Sequence, residues 1–101
     1  MQVSGWKNGR FGTPNLMLGV RVGAKNVAQF FDKGWTEVVV ELDGTSIIVP
    51  ISHKFFGRCP ELRSSAIGKW IKEHKLAPWK IGYPPKLKLL PLGTNRFRLL
   101  L

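Results

Sequence analysis

Residues 35–51 read WTEVVVELDGTSIIVPI, two β-branched runs separated by Asp43-Gly44. Both central residues of a type I′ turn need positive φ, so Asp-Gly between such runs predicts a tight antiparallel hairpin. The rest of the chain reads as the elements that pack with it. Upstream, residues 15–22 alternate Leu16, Leu18, Val20 and Val22 against Asn15, Met17, Gly19 and Arg21, the period of a strand with one buried face. Val27, Phe30 and Phe31 then fall at i, i+3 and i+4, a short helix over 24–33 with Gly34 as its stop. Residues 1–14, interrupted by Gly5, Gly9, Gly12 and Pro14, read as a basic and aromatic arm ahead of a single domain over 15–101.

Downstream, residues 52–63 mix His53, Lys54, two phenylalanines, Gly57, Arg58, Cys59 and Pro60, a strand end running into a loop, with further short strands around 52–57. Ser64 or Ser65 caps a helix to about Lys75, with Ile67, Trp70, Ile71 and His74 on one face. Pro78, Gly82 and Pro84-Pro85 keep 76–85 extended. A last hairpin follows: Leu87 and Leu89 alternate with Lys86 and Lys88, Gly93-Thr94-Asn95 turns, and Phe97, Leu99 and Leu101 alternate with Arg96 and Arg98. Pro91 places its strand at a sheet edge, because proline cannot donate to a ladder. The expected fold class is α+β, a small, mainly antiparallel open or pseudo-barrel with two short helices.

The net charge of +10 is unevenly spread. Segments 1–25, 26–53 and 54–101 carry +4, −3 and +9, and such self-repulsion is most simply relieved by a polyanionic partner. With 44% hydrophobic residues and four tryptophans the chain is a folded module and not a disordered basic tail. No apolar run reaches the roughly 18 residues needed to span a bilayer, and Met1–Arg10 lacks a secretory signal, so an intracellular protein of the cytoplasm, nucleoid or nucleus is expected, without membrane association. A single Cys59 forms no internal disulfide. The apolar ending Leu99-Leu100-Leu101 suits a terminus tucked into a sheet or a domain that continues into more chain.

Three constellations suit nucleic acid. If the last hairpin pairs antiparallel, Lys86, Lys88, Arg96 and Arg98 share one outer face, where like charges repel across strands unless an anion or simple solvation relieves them. Lys54, Arg58 and Arg63 surround a loop, a setting that suits bidentate phosphate or guanine contact, and the adjoining helix face carries Lys69, Lys72 and Lys75. Trp6, Lys7, Asn8 and Arg10 form the arm, in which Asn8 or Arg10 reaches base edges or Trp6 packs on the barrel rim. A helix-turn-helix is excluded by the hairpin and long loop between the two helices, so readout falls to loops and strands. Trp6, Phe55, Phe56, Trp79 and Tyr83 could stack single-stranded bases, but the paired aromatics of an RNP signature are absent.

Catalysis finds little support. Cys59 has no orienting third group beside His53 or His74, and four of six carboxylates cluster at 32–43, away from the basic segments. No metal site or cofactor is expected, since one cysteine and two distant histidines lack zinc spacing and no Walker or Rossmann fingerprint occurs. In length, element order and basic character the chain resembles the pseudobarrel DNA-binding domains of plant transcription factors and the effector domains of some restriction endonucleases. The resemblance is one of layout and carries over no site residues. It implies sequence-specific duplex binding in the major groove by two arms, here residues 6–12 and 54–63. Double-stranded DNA is thus the expected partner, with an acidic protein partner in an assembly domain, or RNA, as the alternatives.

Overall fold

Asp43 and Gly44 adopt φ of 49° and 86°, the two positive values that a type I′ turn demands, and join β3 (Glu37–Leu42) to β4 (Thr45–Pro50) in full antiparallel register. This computed structural model describes residues 1–101. Around the hairpin lie β1 (Gln2–Asn8), β2 (Met17–Arg21), β5 (Glu61–Arg63), β6 (Lys86–Gly93) and β7 (Arg96–Leu100), with helices α1 (Ala24–Phe30) and α2 (Ser65–Glu73) and a 3-10 turn at His53–Phe56. The seven strands form one sheet in the order β4-β3-β7-β6-β1-β2-β5. Every pairing is antiparallel except β3 with β7, and the edges β4 and β5 do not meet, so the α+β fold is an open pseudo-barrel.

Alternation on each strand sends one set of side chains inward. Val3, Leu18, Val20, Val38, Val40, Val49, Leu62, Leu87, Leu89, Phe97 and Leu99 are buried and belong to a single core, each contributing roughly 1.5–3 kcal/mol of hydrophobic stabilisation at most. Phe97 stacks on Phe31 with ring centres 4.7 Å apart, and Phe31 also meets Phe55 at 5.0 Å. That demand shortens α1: the chain leaves the helix at Phe31, in extended conformation, because the ring must enter the core, and so Gly34 is not the stop. α2 is capped by Ser64, whose Oγ accepts the Ala66 N–H at 3.2 Å, and buries Ile67, Trp70 and Ile71. Gly68 brings it close to β2, where a Cβ would lie 3.4 Å from Leu18.

Several expectations need correction. Residues 2–8 are not an arm but a strand interior to the sheet; the arm shrinks to the 9–16 connection. Gly5 fits that strand because Pro85 and Trp79 fill the space its side chain would take. Residues 53–56 form a 3-10 turn in place of a strand, and a three-residue strand at 61–63 pairs with β2 instead. Pro91 is not on an edge strand. It lies on β6, past the reach of β1 and beside a register shift at Gly93, where no neighbour asks for its missing N–H. No helix is long and apolar enough to cross a membrane.

Candidate nucleic-acid interface

Because Val3 and Leu87 point inward, their neighbours Ser4 and Lys86 point out, and the register carries that outer face across four strands. One row runs Lys86 on β6, Ser4 on β1, Arg21 on β2 and Glu61 on β5. The next row, two residues or about 7 Å along, is Trp6, Gly19 and Arg63. Asn8 and Met17 make the third. Gly19 is the hinge of this arrangement in a steric sense: with no side chain between them, Arg63 lays its guanidinium over the Trp6 ring, 4.6 Å from the centroid. A Cβ at Gly19 would strike the Leu62 carbonyl oxygen and come within 3.3 Å of Trp6. The Arg63 guanidinium is fixed from a second side by Glu61, whose carboxylate accepts at 3.2 Å. An arginine stacked on an indole and held by a carboxylate loses little further freedom on binding.

Two open clefts flank the Trp6–Arg63 pair. One, of about 640 Å³, is lined by Gln2, Ser4, Arg21 and Lys86 of the sheet together with Gly82, Tyr83 and Pro84 of the connection before β6. The other, of about 590 Å³, lies between residues 14–18 and the start of α2 and takes in Arg63, Lys69 and Lys72. Neither lining contains a carboxylate. Arg21, Arg63 and Lys86 thus stand on the outer rows, Lys69 and Lys72 of α2 adjoin them through the second cleft at Arg63, and the only acidic group on those rows, Glu61, is already bound to Arg63.

The remaining site expectations divide. Trp6, Asn8, Arg63 and Lys86 belong to this surface. Lys7 lies on the opposite side of β1, its Nζ donating to the Gly9 carbonyl at 2.8 Å and sitting over Phe11, while Arg10 is exposed in the 9–16 loop. Lys54 borders a smaller cleft with Cys59, Glu61 and Arg63, and Arg58 is exposed in the loop before β5. Lys86, Lys88, Arg96 and Arg98 do share the outer face of the last hairpin. However, Arg96 and Arg98 share Glu41 on β3, at 4.0 and 3.4 Å, so repulsion on that half is partly relieved within the chain. Arg21 was not singled out by the sequence reading, although the alternation of 15–22 already puts it on the face of Met17 and Gly19.

The two loops expected to act as arms approach from opposite ends of β2. Residues 9–16 precede Met17, whereas Pro60, whose carbonyl accepts the Val22 N–H at 2.9 Å, lies at the Arg21 end. Five residues of strand separate them, about 17 Å. His74 is elsewhere: its Nε2 donates to the Asp43 carboxylate at 2.8 Å, clasping α2 to the first hairpin and holding the Asp43 carboxyl below its ordinary pKa. Comparison with protein-family models, with curated proteins and with solved structures finds no match.

Proposed function

We propose that the chain is a non-catalytic module that binds double-stranded DNA on the outer face of β1, β2 and β5. The observation that supports this most is that Arg21, Arg63 and Lys86, from three strands distant in sequence, share the outer rows, with Lys69 and Lys72 adjoining at Arg63 and the single carboxylate of those rows spoken for. Phosphates would take the flanking cations, while Asn8, Met17 and the Trp6–Arg63 pair face base edges. The loops at the two ends of β2 stand about 17 Å apart, enough to straddle a major groove about 12 Å wide. That is the two-armed grip implied by the resemblance to pseudobarrel DNA-binding domains, with Arg10 on one arm and Lys54 and Arg58 on the other.

Neutralising Z phosphates gives a plot of log affinity against log salt with slope about −0.9Z, so the four flanking cations Arg21, Lys69, Lys72 and Lys86, with Arg63 already paired to Glu61, predict a slope of about −3 to −4. Fluorescence anisotropy on duplex DNA checks this. Arg21→Gln is expected to flatten the slope by about one, while Arg98→Gln, on β7 away from the proposed surface and paired with Glu41, leaves it unchanged. A salt-independent complex, or equal effects from the two variants, would refute the assignment.

A second reading rests on a different patch. Leu90, Leu100 and Leu101 are exposed together on the last hairpin beside Lys86 and Lys88, a surface suited to an acidic protein partner. A gel shift on duplex and single-stranded oligonucleotides separates the readings: no shift with either favours the protein partner, and a single-strand preference with tryptophan quenching favours RNA or single-stranded binding.

A further inference from the structure

The connection from α2 to β6 ends in a tip that the fold leaves conspicuously bare. Ile81 is 87% exposed and Tyr83 71%, the two most exposed large apolar side chains in the chain. The tip is nonetheless held. The Tyr83 N–H donates to the Lys80 carbonyl at 2.9 Å, Gly82 supplies a φ of 84°, and Lys80 Nζ sits 5.6 Å from the Tyr83 ring centre. Behind it, the Gly5 N–H donates to the Pro85 carbonyl at 2.8 Å, and Trp79 meets Phe11 edge-on at 4.9 Å. No acidic side chain occurs anywhere from residue 74 to residue 101.

Gly82, Tyr83 and Pro84 also line the cleft that carries Arg21 and Lys86. Resting on the DNA-binding reading above, this geometry has a consequence for duplex shape. If one phosphate strand lies in the cleft between Arg21 and Lys86, the sheet face lies on its major-groove side and the Lys80–Tyr83 tip on its minor-groove side. An apolar side chain presented to the minor groove on a stiff, cation-flanked turn is the device by which proteins unstack a base step and kink DNA. We infer that Ile81 is such a wedge, inserted at a base step next to the gripped strand, with Tyr83 packing on the sugar edge behind it, so that the bound duplex is bent.

The test uses the full chain and a duplex of roughly 30 bp labelled at its two ends, with 2-aminopurine placed at successive steps. Anisotropy reports binding, and end-to-end energy transfer reports bending. The wild-type chain is expected to raise energy transfer and to raise 2-aminopurine emission at one step. Ile81→Ser is expected to bind within tenfold of wild type but to lose both signals, and Ile81→Leu to restore them. Because Ile81 is exposed, all three should unfold at the same temperature. Binding without bending, or bending that survives Ile81→Ser, overturns the wedge and leaves DNA binding standing; absence of duplex binding overturns both. Ile81-dependent binding to anionic phosphatidylserine vesicles, with duplex shape unaffected by the substitution, would assign the tip to a lipid surface instead.

Discussion

Adding one methyl group at Gly19 is a sharp test of how the interface is assembled. A Cβ there meets the Leu62 carbonyl oxygen inside van der Waals distance, with the Arg63 Cα at 3.4 Å and Trp6 Cε3 at 3.3 Å. Two of these three atoms are backbone, so no rotamer change relieves the clash, and β5 must retreat from β2. Overpacking of this kind costs about 1–3 kcal/mol, and weakening the short β5 ladder adds about 1 kcal/mol per hydrogen bond. Reduced chain entropy in the unfolded state returns about 0.4–1 kcal/mol. A net loss of about 2 kcal/mol follows, and with a urea slope of about 1–2 kcal/mol/M the unfolding midpoint falls by about 1–2 M. Gly68→Ala is the matched control, since its Cβ meets Leu18 at an ordinary 3.4 Å and alanine favours the helix by up to about 1 kcal/mol. The same chemical change is therefore expected to destabilise at residue 19 and to be neutral or stabilising at residue 68. Urea titration reads both midpoints, and the ring-current shift of Arg63 Hε reads its seat over Trp6. A Gly19→Ala chain with an unchanged midpoint and an unchanged Arg63 resonance would refute the close-packing argument.

Two other outcomes follow from the core and the clasp. Phe97→Ala removes a ring that is 1% exposed and stacked on Phe31, with an expected cost of about 3–5 kcal/mol by urea unfolding. Asp43, whose carboxyl is held below its usual 3.8 by the His74 hydrogen bond, stabilises the fold above that value and loses the contribution as pH falls through the lowered one; Asp43→Asn should therefore unfold earlier than wild type near neutrality and converge with it in acid, measured by thermal melts across that range.

Local chemistry made several elements legible. Asp43-Gly44 announced the first hairpin, Ser64 the start of α2, and the alternation around Lys86 and Arg96 the last hairpin. What escaped was decided by partners distant in sequence. Gly5 looks like a breaker until Pro85 and Trp79, some eighty residues on, are seen to occupy its side-chain space. β5 is too short to show a period and exists because β2 pairs with it. For the interface, Trp6 and Arg63 could be named from residue type, but their contact depends on an empty position at Gly19 between two aligned strands. Arg96 and Arg98 looked free because only the parallel β3–β7 register brings Glu41 alongside them.

That parallel register also governs when the chain can fold. β7 lies between β3 and β6, so it joins the β3–β4 hairpin to the other four strands, and β3 has no sheet partner besides β4 and β7. During synthesis the early hairpin must therefore wait, half-covered, until Arg96–Leu100 have left the ribosomal tunnel. Until β7 arrives, the nascent chain exposes Val38 and Val40 to chaperones and proteases, so the long sequence separation of this one pairing sets the vulnerable window.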